Sequence, residues 1–212
     1  MTDAERNAPR GDFGLHRDDQ VLLVALAEGH EHAFDLLVAR YGQRLQSYVF
    51  HIVRDAAWAE DLTQEVFVKV FRKIGTQDPE FSFAVWLFRI ARNESLSFLR
   101  RKSVQMRAMQ LLRAGRETIA GIVPRRAPRG PLAELELGEL TARLDAAIAT
   151  LPEGQRSVFV LREHQGMSYL EIAEIVGCPS KTVSTRLARA RAHLREQLAD
   201  YFDEPSRLGG GR

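Results

Sequence analysis

A single cysteine, Cys178, leaves this chain of 212 residues unable to close an internal disulfide and far short of the four Cys and His ligands of a structural zinc site. Its six histidines, His16, His30, His32, His51, His164 and His193, include no HExxH pattern. His30 and His32 stand two apart, which points them to different sides of a helix. No metal and no cofactor is therefore expected. Long hydrophobic runs are also missing. Val21 to Ala27 and Val158 to Leu161 fall far below the ~20 residues that cross a bilayer, so no membrane insertion is expected. Met1 to Asp19 lacks the basic start, apolar middle and cleavage site of a secretory signal, which predicts a cytoplasmic protein. Alternation of apolar and polar residues is nearly absent as well, which argues against strands.

Apolar residues at 45% and charged residues at 27% are the proportions of a chain that buries a core. The net charge is only +2, but it is segregated. From Arg100 to Arg129 there are nine Lys or Arg against one acid, Glu117, and from Lys181 to Arg195 there are five bases and no acid. Two separate basic stretches suggest two contacts with a polyanion.

The strong period is helical. Phe34, Leu37, Tyr41, Leu45, Tyr48 and Ile52 recur at steps of three and four and predict one long amphipathic helix. After Arg54 and Asp55 a second stripe follows, Trp58, Leu62, Val66, Val70 and Ile74, and a third segment opens at Phe83 with Trp86, Leu87, Ile90 and Ala91. With Val21 to Leu26 these can close a helical bundle. Between Arg113 and Pro131 the pattern collapses: six of nineteen residues are Gly or Pro and five are Arg. Such a stretch reads as a linker. Periodicity resumes at Leu135, Leu144, Ile148 and Leu151, and Pro152 suits the first turn of a further helix. The expected fold is all-α, two small helical domains joined by a flexible basic linker. Its divisions are a flexible N-terminus over 1–17, a first domain over 18–102, a linker over 103–139, a second domain over 140–202 and a flexible tail over 203–212.

The second domain carries a helix-turn-helix signature. Ser168 and Glu171 have the spacing of a capping box, so a helix should start at Ser168. Gly177, Cys178 and Pro179 should stop it, and Ser180 can cap the next helix. In that helix Val183, Leu187, Ala190, Leu194 and Leu198 share one side and should pack inward. Lys181, Thr185, Ala188, Arg189 and Ala192 then face outward, where alanines permit close approach to a major groove and Thr and Arg can reach base edges. Arg186 and Arg191 on the flanks can meet phosphates. An ordinary exposed helix would mix Glu among these bases. In the first domain, Arg89, Arg92, Asn93, Ser97 and Arg100 form a polar basic stripe opposite Trp86 and Ile90. The loop before it carries Phe81, an aromatic able to stack an unpaired base, while Phe83 should plug the bundle.

Together the two halves resemble the extracytoplasmic-function group of bacterial sigma factors. The resemblance rests on Ala33 to Tyr41, Ala59 to Phe67, Trp86 to Asn93 with Leu99 to Arg101, Leu151 to Arg156, Ser168 to Ala173 and Thr182 to Arg191. It implies a non-enzymatic factor that binds core RNA polymerase and promoter DNA, both as duplex and as melted strand, and that is commonly sequestered by an anti-sigma protein. The segment Ala59 to Ile74 would dock on the polymerase clamp helices, with Asp61, Gln64, Glu65 and Val68 on one side of its helix. Phe81, Arg89, Arg92, Asn93, Ser97, Arg100 and Arg101 would read and open the minus-ten element. Lys181, Thr182, Ser184, Thr185, Arg186 and Arg189 would read the minus-thirty-five duplex. Position 97 is Ser where many relatives carry Asp, and Ala84 stands where a basic residue often precedes the Trp-Leu pair. Two rival readings are weaker. A helix-turn-helix regulator whose N-terminal bundle senses a ligand or dimerises would need only one basic surface and a dimer interface. An enzyme would have to use Cys178, which has no near partner in sequence, or Glu60 and Asp61, whose adjacency points them apart.

Overall fold

The computed structural model describes residues 15–74, 82–113 and 132–203. Among the described residues there are eight helices and no strand: α1 (Leu15–Ala27), α2 (His32–Val53), α3 (Ala56–Lys73), α4 (Phe83–Arg113), α5 (Leu132–Thr150), α6 (Glu153–Glu163), α7 (Tyr169–Val176) and α8 (Ser180–Asp203). None of the described helices is long and apolar enough to cross a membrane.

The first four helices form a bundle around the α2 stripe. Leu37, Tyr41, Leu45, Tyr48 and Ile52 are all buried, as the period of three and four requires. Arg54 ends α2 in the left-handed region at φ 60°, its amide donating to the Phe50 carbonyl at 2.8 Å. Asp55 then caps α3 by accepting from the Trp58 amide, so the chain reverses within two residues. Leu62, Val66 and Val70 of α3 and Phe83, Leu87, Phe88 and Ala91 of α4 complete the core. Tyr41 meets Phe83, and Tyr48 meets Phe88, edge to face with centroids 5.4 Å apart in both pairs. Trp58 departs from its stripe. It is 43% exposed at the start of α3 and leans on Phe98 of α4.

A polar link the stripe does not foretell ties α1 to α2. Asp19 is only 2% exposed and accepts from the Tyr41 hydroxyl and, at 2.7 Å, from Arg40 Nη1. The apolar run of α1 divides accordingly: Leu23 and Leu26 turn inward, and Val21 and Val24 remain exposed.

In the second group of helices, Ile148, Leu151, Val158, Leu161, Ile172, Ile175, Val183, Leu187, Ala190 and Leu194 make the core. The capping box is complete: the Ser168 amide donates to Glu171 Oε2 at 2.7 Å, and the Glu171 amide donates to Ser168 Oγ at 3.2 Å. Gly177 closes α7 in the left-handed region at φ 67°, where a side chain would be strained. Ser180 is already the first residue of α8. The Pro179 carbonyl accepts from the Thr182 and Val183 amides, so the cap position belongs to Pro179. Pro152 likewise stands one residue before α6. Replacing Ser168 with Ala should cost about 1 kcal/mol, the usual worth of an N-cap, read as a lower urea midpoint at unchanged slope.

Helix α4 continues to Arg113, and α5 already begins at Leu132. Between Lys102 and Arg113 there is no Gly or Pro, and Gln, Met, Arg, Ala and Leu all favour helix, so nothing stops α4 near 102. Of the expected linker over 103–139, the Gly, Pro and Arg-rich residues 114–131 lie outside the described residues, as do the expected N-terminal segment up to residue 14 and the tail from 204.

The two groups of helices pack on each other, α2 against α6 and α4 against α7. Tyr48 Oη and Ser157 Oγ, both fully buried, lie 2.8 Å apart across this contact. Arg44 donates from Nε to Gln165 Oε1 and from Nη2 to the Gln165 carbonyl, each at 3.1 Å. The Tyr48 ring thus belongs to the first core while its hydroxyl finds a partner in the second.

Candidate nucleic-acid and polymerase interfaces

Helix α8 is the second helix of a helix-turn-helix, and its outward row is as the sequence predicts. Lys181, Thr185, Ala188, Arg189 and Ala192 are exposed, while Val183, Leu187, Ala190 and Leu194 are buried beneath them. Thr182 and Ser184 are half-buried beside the row. Thr185 Oγ1 donates to the Lys181 carbonyl at 3.0 Å, which orients its methyl and hydroxyl. The flanking arginines are less free than their spacing suggests. Arg186 is half-buried: its guanidinium lies 3.8 Å from Cys178 Sγ and over Gly154, where an added Cβ would sit 3.6 Å from it. Arg191 is paired with Glu163 of α6.

On α4 the basic stripe divides in two. Asn93, Arg100 and Arg101 are exposed, and Arg100 Nη2 donates to Ser97 Oγ at 3.0 Å. Arg89 and Arg92 turn to the second domain. Arg89 Nη2 is 2.9 Å from Glu174 Oε2, its Nε donates to the Glu174 carbonyl at 3.1 Å, and Arg92 Nη2 is 3.5 Å from Glu153 Oε1. Phe83 plugs the bundle at 1% exposure, and Phe81 lies outside the described residues. The sequence held no signal for Glu153 and Glu174, because their partners stand 61 and 85 residues away.

On α3, Asp61, Gln64, Glu65 and Val68 share an exposed face. Phe71, 46% exposed, extends it by one turn. The i+3 step from Val68 is the signal that could have found Phe71. Lys69 pairs with Glu94 and fixes α3 against α4.

Behind these surfaces, where α2 meets α6, His51 is 5% exposed with its ring centroid 4.8 Å from that of His164. Burial holds the His51 pKa down at about 4, helped by His164, Arg54 and Arg156 and opposed by Asp145. Burial lowers His164 too, with Asp145 and Glu163 opposing.

Residues 37–104 match the family description Sigma-70 region 2, and residues 141–194 match Sigma-70, region 4. The RNA polymerase sigma-H factor of Pseudomonas aeruginosa is 32% identical over 186 residues, which is 88% of this chain and 96% of that one. The chain belongs to the extracytoplasmic-function sigma factors of the sigma-70 family. This sigma factor is also 34% identical over 185 residues to the ECF RNA polymerase sigma-E factor of Escherichia coli K12, covering 85% of the one and 94% of the other. Its fold is similar to the solved structure of CnrH in complex with the cytosolic domain of CnrY, with TM-score 0.63 and 31% identity over 86% of this chain and 97% of that one. The sigma factor RpoE in complex with the anti-sigma factor NepR from Bartonella quintana gives 0.59 and 26%, over 78% and 96%. As a sigma factor, the chain is a non-enzymatic initiation factor that binds core RNA polymerase and directs it to promoters. The two matched regions fall on the bundle that carries α3 and α4 and on the helix-turn-helix.

Proposed function

We propose that the three surfaces divide the work of this sigma factor. Helix α8 reads the minus-thirty-five duplex through Lys181, Thr182, Ser184, Thr185, Arg186 and Arg189. The α4 stripe, Arg89, Arg92, Asn93, Ser97, Arg100 and Arg101, together with Phe81, takes the melted minus-ten strand. The α3 face of Asp61, Gln64, Glu65 and Val68, extended by Phe71, docks on core polymerase. The observation that carries this reading is the outward row of α8, bases and alanines with no acid among them, above a fully buried apolar stripe. The domains are read as 18–102 and 140–202, a division that the separate matches over 37–104 and 141–194 support without fixing its bounds. The protein acts in the cytoplasm, where its polymerase is, in a stress or signal-responsive programme. An anti-sigma protein is its natural antagonist, because two similar structures carry a bound partner, CnrY in one and the anti-sigma factor NepR in the other.

Arg189 tests the α8 assignment. A bidentate bond to guanine O6 and N7 makes Arg189→Ala cost about 1.5 kcal/mol, roughly tenfold, at one base position and relax preference there. Arg186, packed on Gly154 and Cys178, should instead weaken all duplexes alike when replaced by Ala. Anisotropy titrations of single-base promoter variants across a salt series separate the two. An unchanged ranking of variants for Arg189→Ala would move base readout to Thr185 or Ser184.

The α3 face is tested by Asp61→Lys with Glu65→Lys. Both side chains are exposed, so helicity and melting should stay as they are, while affinity for purified core polymerase drops about tenfold or more through like-charge contact. Full core affinity in this variant would place the docking surface elsewhere, and parallel loss of melting temperature would make these acids structural.

A further inference from the structure

We propose that the nucleic-acid surface of α4 continues past Arg101, and that Val104 and Arg107 lie on the duplex immediately upstream of the minus-ten element, with Arg107 on a backbone phosphate. The inference rests on the reading of Asn93, Ser97 and Arg100 as minus-ten contacts. From Asn93 the face runs through Ser97, Arg100, Val104 and Arg107 at steps of four, three, four and three, which keeps one line along a helix. None of these side chains is buried: Ser97 is half-buried, Asn93, Arg100 and Arg107 are exposed, and Val104 is 65% exposed. Met106 and Met109 are exposed as well, but they follow the buried Ala91 and Ser95 through Phe98 and Lys102 at steps of three and four, on the other side of the helix. Lys102 turns to that side too, its ammonium 5.6 Å from the centroid of the Phe98 ring.

Charge selects the occupant. Between Glu94 and Glu117 the chain has no acid, and α4 from Ser95 to Arg113 carries five bases, Arg100, Arg101, Lys102, Arg107 and Arg113. Among the described residues no carboxylate pairs with Arg100, Arg101 or Arg107. A helix that merely spaced the domains would gain from Glu four residues away from these bases. A bare cationic line suits a polyanion instead. Duplex suits this one better than strand, because α4 has no aromatic ring after Phe98 on which a base could stack. The chain itself gives the direction. From Arg113 it goes on to the second domain, whose α8 takes the minus-thirty-five element, so the C-terminal end of α4 points upstream. The rise from Asn93 to Arg107 is about 21 Å, the length of about six base pairs. Val104, small and apolar between two arginines, lets the helix lie close and can meet a thymine methyl.

The test uses holoenzyme assembled from purified core polymerase and the full chain, on two templates that lack a minus-thirty-five element. Both present the same single-stranded minus-ten element. One adds about twelve base pairs of duplex upstream, twice the reach of Arg107, and the other ends at the element. Arg107→Gln keeps a helix-favouring side chain and should bind the shorter template as the wild-type chain does. On the longer one it should lower the slope of log affinity against log salt by about one unit, so that a rise from about 50 to about 200 mM salt costs the variant about threefold less. Arg107→Lys should retain the wild-type slope. A neutral methylphosphonate moved along the upstream backbone should weaken the wild-type chain at one position and leave Arg107→Gln unaffected there. Asn93→Ala reports on the underlying reading and should weaken binding to both templates. If Arg107→Gln matches the wild-type chain on the longer template while Asn93→Ala weakens both, the proposal fails and the minus-ten reading stands. If Arg107→Gln weakens both templates alike, Arg107 meets polymerase or the melted strand, and the proposal fails. If Asn93→Ala weakens neither, the proposal falls with the minus-ten reading. Circular dichroism confirms that the variants keep their helices.

Discussion

Asp19→Ala should destabilise the protein by about 3 kcal/mol, the cost of breaking a buried polar network while its partners stay behind. The carboxylate is almost fully buried between α1 and α2 and serves two donors. Arg40 can fall back on Asp18, which lies 3.8 Å from its Nη2. The Tyr41 hydroxyl has no such reserve: its residue is fully buried, and burial together with Asp19 pushes its pKa upward, so it remains a neutral donor with nothing to bond. Asp19→Asn keeps an acceptor for Tyr41 and should cost nearer 1 kcal/mol. A double-mutant cycle decides the matter, because Tyr41→Phe removes the stranded hydroxyl. In the Asp19→Ala background it should be less damaging than in the wild-type chain. Additive losses in urea denaturation would mean the two groups are not coupled.

Acid should weaken the fold by about 2 kcal/mol between pH 7 and pH 5 through His51 alone. In the unfolded chain this imidazole takes up its proton near pH 6.5, whereas in the folded chain it resists until about pH 4. Between those values the unfolded state binds more protons, so stability is complete above pH 6.5 and falls as pH drops through the window toward 4. His164 is lowered as well and acts in the same sense. Asp145 and Glu163 soften the effect, and Arg54 and Arg156 add to it at His51. His51→Gln, which cannot charge, should flatten the dependence of the urea midpoint on pH in this range. A slope that persists unchanged in the variant would assign it to other groups.

What the sequence made legible was local. The α2 stripe, the capping box at Ser168 and Glu171 and the left-handed stop at Gly177 are patterns spaced within a few turns of one helix, so period and cap chemistry determine them. The α8 outward row was legible for the same reason: knowing which side is apolar settles which side is not. What stayed hidden was set by distant neighbours. Trp58 belongs to an apolar stripe yet is exposed beside Phe98. The run Val21 to Ala27 has no period of its own, so only the seat of α1 on α2 selects Leu23 and Leu26 over Val21 and Val24. Arg89 and Arg92 share a helical face with Ser97 and Arg100, but which of these bases meet water and which meet acids depends on the placement of α6 and α7. Asp19, a charged residue before an apolar run, reads as surface until its two donors are known.

Because α4 and α7 belong to one polypeptide, their contact is unimolecular. The 18 residues from 114 to 131 join the two faces covalently, which sets an effective concentration on the order of millimolar, whatever the number of molecules in solution. Dilution therefore does not loosen the pairing of Arg89 with Glu174, and a factor present in a few copies is held as firmly as one that is abundant. A separate ligand for either face has to displace a neighbour that never diffuses away.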